Sequence, residues 1–294
     1  MKFTLVLLGC ILSWLCHLSG HSLTITPDAG PVDPCRINTN LDASRTQNGS
    51  RAKLFILCHD AQSEKVARQF ASCNERWMEP IRLNSSVFFE TALYNIFSTR
   101  AETSEWSELD FVITATYKTV QRMKLHEGIF YEQTLEEVHR MLSIAREGKY
   151  DLVPFLRSTV NMKLSIKYWH GESFKLAWDA LLLKMGYSLE AVQQSMEMKP
   201  FYRNVFISIP AVLTRLSHLM QQAMQLVRQD AELVALFEVD AKYAGGREKV
   251  ALRVFGTKYY QLHPFVFERL PMFFLQQMGA KVCADDNGPC PYNY

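Results

Sequence analysis

Residues 54–58 read LFILC, five apolar residues with no polar break. A strand wet on one side alternates apolar and polar residues. An unbroken run is what a strand covered on both faces needs. A chain with such a strand must supply helices above and below it, which confines it to layered α/β architectures. The sequence supplies them. Residues 61–73 read as a helix, with Ser63 and Glu64 suited to its first turn. MEPIRLN, 78–84, is a short second strand, and apolar residues at 88, 89, 93, 96 and 97 give 85–100 a helical period. Phe111 to Ala115 form the heart of a third strand. An amphipathic helix follows over 131–150, with 135, 138, 142 and 145 facing one way and Gly148 as a natural cap. YDLVPFL, 150–156, is a fourth strand. Strands alternating with helices predict an α/β fold of βαβ units with a mainly parallel sheet. The second half is more helical: helices over 172–187 and 211–230, a strand over 203–210, and a helical extension over 231–240 broken at Gly245-Gly246.

The chain has 294 residues, 48% hydrophobic and 21% charged, enough for a sizeable core. Its net charge of +2 gives no electrostatic case for a nucleic-acid partner or an anionic membrane. Lys2 precedes FTLVLLGCILSWLCHL, sixteen residues without Asp, Glu, Lys or Arg. That pattern fits a signal peptide over 1–20 and is short for a bilayer span of about 20 residues. Gly20 is small, as a cleavage site requires, whereas Leu18 is not, so a retained signal anchor stays open beside a cleaved signal. Any membrane contact runs through this segment. Residues 21–51, rich in Pro, Gly, Ser, Thr and Asn, read as a linker or stem. The α/β domain is expected over 52–280 and a C-terminal tail over 281–294.

The secretory route sets how the cysteines read. Cys283 and Cys290 enclose a Gly- and Pro-containing spacer and are expected to form a disulfide loop. Cys58, at the end of a buried strand, is expected to be a free thiol, which leaves Cys35 with Cys73 by elimination. Asn48 and Asn84 lie in N-x-S sequons and are expected to carry glycan.

Ligands in open α/β sheets bind outside the carboxyl ends of the strands. His59, Asp60, Tyr117 and Lys118 fall at such ends. Asp60 can bind a ribose or cap the next helix; Lys118 can meet a phosphate or solvent. There is no GxGxxG, GxxxxGK[ST], GxSxG or HExxH. Two E-x-D triplets, Glu108 with Asp110 and Glu238 with Asp240, can share Mn²⁺ or Mg²⁺ across a diphosphate. Arg203 can contact phosphate or form a structural ion pair. YYQLHPFVFERLP, 259–271, sets Glu268 and Arg269 in an apolar stretch, where a charge must be paired or used.

The phrases AKLFILCHDAQSEKVA, MEPIRLNSSVFFE, ELDFVITATYKT, FYRNVFISIPAVL and YYQLHPFVFERLP occur in that order over 52–275. In this the chain resembles glycosyltransferase-like, polysaccharide-biosynthesis-like proteins of the nucleotide-sugar-dependent GT-A type from algae, protists and large viruses. The resemblance implies a Rossmann-like (GT-A-like) sheet, a Golgi or ER lumenal or secreted location, a nucleotide-sugar donor, a glycan or protein acceptor, and a divalent metal at a D-x-D motif. No D-x-D is present. By position, it nominates Asp60, Tyr117, Lys118, Arg203, Asn204, Tyr243 and Arg269 for substrate, Asp240 beside Tyr243, and Glu268 or His263 as general base; Glu238 joins Asp240 as a metal ligand only through the E-x-D triplet. Glu268 is expected on a helix face turned to the cleft, with His263 within reach of the same cleft. Glu268 and Arg269 neutralising each other is the alternative. A non-catalytic glycan-binding protein on the same fold is the competing function.

Overall fold

A computed structural model describes residues 51–72, 77–83, 89–116, 130–155, 158, 160–201, 204–242 and 248–283. The elements in chain order are β1 (Ala52–Cys58), α1 (Ala61–Ala71), β2 (Met78–Arg82), α2 (Phe89–Ala101), α3 (Ser104–Ser107), β3 (Phe111–Thr116), α4 (Phe130–Glu147), β4 (Leu152–Pro154) and α5 (Met162–Ser165). A π-helical turn (Ile166–His170) then leads into α6 (Gly171–Lys184), followed by α7 (Leu189–Gln194), β5 (Phe206–Ser208), α8 (Pro210–Gln229), α9 (Ala231–Phe237), α10 (Glu248–Phe255) and α11 (His263–Gln277).

The strands form one open sheet in the order β2-β1-β3-β5-β4. β1 pairs in parallel with β2 and β3, placing Leu54 opposite Met78 and Ile113. β5 runs antiparallel to both its neighbours, β3 and β4. Four strands therefore point one way and one is reversed: the sheet is mixed, not built of parallel pairings throughout. A three-residue apolar strand shows burial but not direction, which is why the reversal is not visible in VFIS.

The LFILC run divides as a doubly covered strand must. Phe55 and Leu57 pack with α2, α6, α8 and α11 on one face, and Leu54, Ile56 and Cys58 with α1 and α4 on the other. All five are at most 1% exposed, and each such side chain contributes roughly 1.5–3 kcal/mol of burial. Cys58 is a free, buried thiol, pushed up to about 12 by burial and then by the nearby Glu64 and Asp60.

The end of α4 departs from expectation. Lys149 takes the left-handed conformation at φ 49°, while Gly148 provides room: a Cβ there would stand 2.0 Å from the Tyr150 ring. Past α11, Val282 bridges Leu152 of β4, and the Lys281 N–H donates to Asp151 Oδ2 at 2.7 Å. Cys283 is buried there and disulfide-bonded. Its expected partner Cys290 lies outside the described residues, as do Cys35, Cys73, Asn48 and Asn84. Among the described residues no helix is long and apolar enough to cross a membrane.

Candidate functional site

The carboxyl edge of the sheet gathers an unusual set of buried polar groups. α2 starts on this edge because it follows β2, and Glu90 lies in its first turn. β5 is reversed, so its leading end arrives on the same edge and brings Asn204 with it. Asn204 is left-handed at φ 49°, a conformation its short polar side chain tolerates. The Thr114 hydroxyl donates to its carbonyl at 2.5 Å and accepts from the Phe206 N–H at 3.2 Å. The Tyr94 hydroxyl donates to Asn204 Oδ1 at 2.8 Å. That fixes the amide orientation, and Nδ2 donates to Glu90 Oε1 at 3.2 Å. Glu90 is 7% exposed. Burial, and then the charge of Glu268, push its carboxyl up to about 8. At neutral pH Glu90 is therefore mostly a carboxylic acid, with a proton to give. Tyr94, equally enclosed, is raised well above the usual phenol range by burial and then by Glu90.

α11 contributes the second half. Arg269 Nη1 donates to the Phe265 carbonyl at 2.7 Å, and Nη2 donates to Ser165 Oγ at 3.3 Å. Nη2 also stands 3.2 Å from His170 Nε2, and the guanidinium lies over the Phe174 ring at 5.3 Å. His170 Nδ1 is 3.1 Å from the Ala241 carbonyl. The two contacts assign the tautomer: Nδ1–H donates to Ala241, and Nε2 accepts from Arg269. Burial first, and the Arg269 charge second, hold that imidazole neutral, down at about 4. The Glu268 carboxylate lies 3.8 Å from Arg269 Nη1, with side chains 24% and 5% exposed. Glu268 is thus the member of the group nearest to solvent. The site thus sets an enclosed carboxyl, Glu90, and a partly exposed one, Glu268, near a buried cation, Arg269.

Of the residues singled out in the sequence, the structure brings together Asn204, Glu268 and Arg269. His263 does not join them. It sits 3.2 Å from Thr91 Oγ1 and stacks on Phe267 with ring centroids 4.2 Å apart. Five residues along a helix is about 140° of rotation, so His263 and Glu268 lie on different faces of α11. Burial, and then Arg228, depress His263 to about 3. That leaves it a poor base at neutral pH.

Asp60 lies at the end of β1, where the strand order reverses between β1 and β3. Its Oδ1 accepts from the Ser63 N–H at 2.7 Å in a capping box at the start of α1, and its Oδ2 is 3.2 Å from His59 Nε2. Those contacts, the Ser63 N–H foremost, lower its pKa. Asp60 is therefore a helix cap first. Glu238 and Asp240 are both exposed, and Asp240 Oδ1 accepts from the Lys242 N–H at 2.8 Å. Glu108 pairs with Arg51 at 2.9 Å, and Asp110 accepts from the Arg51 N–H at 2.8 Å, at the amino end of β3 and away from the site. Among the described residues no group of three or more His, Cys, Asp or Glu is placed to hold a metal ion. Neither E-x-D triplet gains a third such ligand among the described residues. Tyr117, Lys118, Arg203 and Tyr243 lie outside the described residues.

Glu90, Tyr94, Ser165 and His170 were missed in the sequence. A signal existed for one of them. Glu90 follows Phe88-Phe89 in an apolar helix, the same anomaly that drew attention to Glu268. Compared with known protein families, curated proteins and solved structures, the chain matches none.

Proposed function

We propose that the protein is a secretory-pathway glycosyltransferase-like enzyme. It passes a sugar from a nucleotide donor to a hydroxyl of a glycan or protein, and Glu268 takes the proton from that hydroxyl. The observation that carries the reading is the position of Glu268: a quarter-exposed carboxylate beside Arg269 whose charge reaches Glu90, in the first turn of the helix that follows β2, and open α/β sheets bind ligands outside such strand ends. Arg269 holds its direction from within the core, and Asn204 and Glu90 close the site behind it. In this reading Lys118 and Arg203 meet the donor phosphates.

The test is transfer by the full chain from a panel of UDP- and GDP-sugars, with and without Mn²⁺. The base assignment requires Glu268→Gln to keep donor binding and slow transfer by roughly 10²–10⁴, the usual worth of general base catalysis. An unchanged rate in the variant rejects it. One observation favours a second reading, glycan binding without catalysis. Tyr168 and Trp169 stand side by side on the π turn, 64% and 49% exposed, as flat rings on which sugar faces can stack. Glycan binding that is lost in Trp169→Ala, with no donor-induced rise in melting temperature across the panel, would decide for that reading.

A further inference from the structure

From α5 through the π turn the chain sets one face on the core and one in solvent. Met162, Ser165, Ile166 and His170 are buried. Between them stand Leu164, Tyr168 and Trp169, 38%, 64% and 49% exposed, with the exposed Lys163 and Lys167. Arg269 pins the segment from behind. Its Nη2 donates to Ser165 Oγ at 3.3 Å and meets His170 Nε2 at 3.2 Å. Asn161 Oδ1 accepts from the Leu164 N–H at 3.0 Å and fixes the start of α5. The rings are thus presented by a backbone that a ligand need not order, which favours affinity.

Cations gather beside the rings. Lys167 Nζ lies 5.8 Å from the centre of the Tyr168 ring. A Cβ at Gly171 would stand 3.5 Å from Lys242 Nζ, so a third ammonium reaches the end of the same turn. The carboxylates next to this group in sequence are Glu172 and Asp240, and Asp240 is engaged by the Lys242 N–H at 2.8 Å. Among the described residues none of the three ammonium groups is in an ion pair. Two flat rings among unneutralised cations suit a ligand that combines flat apolar faces with negative charge. A lipid surface suits them less. Helices that lie on a membrane hold their cations on one face and their apolar residues on another, whereas Lys163 and Leu164, then Lys167 and Tyr168, interleave on the outward face.

We propose that this face binds an acidic oligosaccharide, with its sugar rings stacked on Tyr168 and Trp169 and its carboxylate or sulfate groups held by Lys163, Lys167 and Lys242. The inference rests on the reading of the ring pair as a glycan surface and adds the charge of the glycan. It holds for a bound glycan and for an acceptor alike.

Binding to the full chain is measured with tetragalacturonate and a heparin-derived tetrasaccharide as acidic sugars, and with maltotetraose as an uncharged one. Tetraglutamate serves as an acid without sugar rings, and vesicles of mixed phosphatidylcholine and phosphatidylserine as a charged lipid surface. At least one acidic sugar is expected to bind about tenfold or more tighter than maltotetraose and tetraglutamate, within what three exposed ion pairs supply. Replacing Lys163 and Lys167 together by Gln should weaken that binding by roughly 2–25-fold and leave maltotetraose unchanged. Trp169→Ala should weaken it by about tenfold. On the unaltered protein, added NaCl should reproduce the effect of the lysine changes, independently of how the variants fold. Equal affinity for acidic and uncharged sugars overturns the inference and leaves the ring pair as a glycan surface. Tetraglutamate binding as tight as that of the acidic sugars shows charge attraction alone and overturns it too. Vesicle binding that is lost in Trp169→Ala, with no oligosaccharide bound, assigns the face to lipid. Binding of no oligosaccharide removes this inference and the glycan-binding reading together, and leaves transfer from nucleotide sugars to its own assay.

Discussion

Replacing Glu90 by Gln should make the protein more stable in alkali than it is in nature. In the folded chain this carboxyl ionises at about 8 against a reference of 4.5, with burial the largest cause and Glu268 the next. The folded state therefore binds the proton more tightly than the unfolded one, and the stabilisation is fully present below pH 4.5. It is lost as pH rises through 8. Each pH unit between those values costs about 1.4 kcal/mol, or about 5 kcal/mol over the whole window. Gln has nearly the same shape, keeps an oxygen for the Asn204 amide and has nothing to ionise. The stability of Glu90→Gln relative to the parent should accordingly rise by about 4 kcal/mol between pH 5 and pH 9.

Buried histidines also titrate over part of that window. His139, His170 and His263 all have depressed folded values, those of His170 and His263 at about 4 and 3, so they withdraw stability as pH falls below 6.5, the opposite direction. Both proteins carry them, and the difference between parent and variant cancels them. The assay is urea unfolding followed by the fluorescence of the five tryptophans, run on both proteins at each pH. A difference constant to within about 1 kcal/mol from pH 5 to 9 would show that Glu90 is not held as an acid in the folded chain.

Arg269→Met should cost about 3 kcal/mol at pH 7 by the same assay. That is the low end for breaking a buried pair, because Glu268 keeps a quarter of its side chain in solvent; a loss under about 1 kcal/mol refutes it. Cys58, with its thiol pushed up to about 12, should react with an aromatic disulfide reagent at pH 8 at least about 10³-fold more slowly in the native protein than in urea. Rapid labelling of the folded chain would contradict the burial of β1.

Leu54–Cys58 announced an interior strand because burial on both faces leaves no room for a polar residue, and the helices it demanded are there. Strand direction was not legible. VFIS would read the same in either sense, since hydrogen-bond direction leaves no trace in an apolar run. The chemistry was half legible for the same kind of reason. Glu268 and Arg269 stood out as charges among aromatics, and Glu90 stood out equally beside Phe88-Phe89 without being weighed. His170 gave no comparable sign. What puts it on Arg269 is a π turn, one residue wider than an α turn, and a single residue of extra winding has no compositional mark. His263 misled by proximity: five positions from Glu268 in sequence, it faces another side of α11.

The hairpin-like return from β4 to β5 has an organisational consequence. The Phe155 N–H donates to the Val205 carbonyl at 2.9 Å, so the chain leaves the sheet and rejoins it at one point. Everything between, including Ser165, the aromatic pair and His170, is an excursion hung from a closed neck. Such a cassette is not independent of the strands beneath, because α6 buries Phe174, Trp178, Leu181 and Leu182 in the same core as Phe55 and Leu57. Glu90, Asn204 and Glu268 belong to the frame, whereas the ring-presenting surface belongs to the cassette. Tyr168 and Trp169, which stay exposed on the π turn, are accordingly where the cassette can change without disturbing that core.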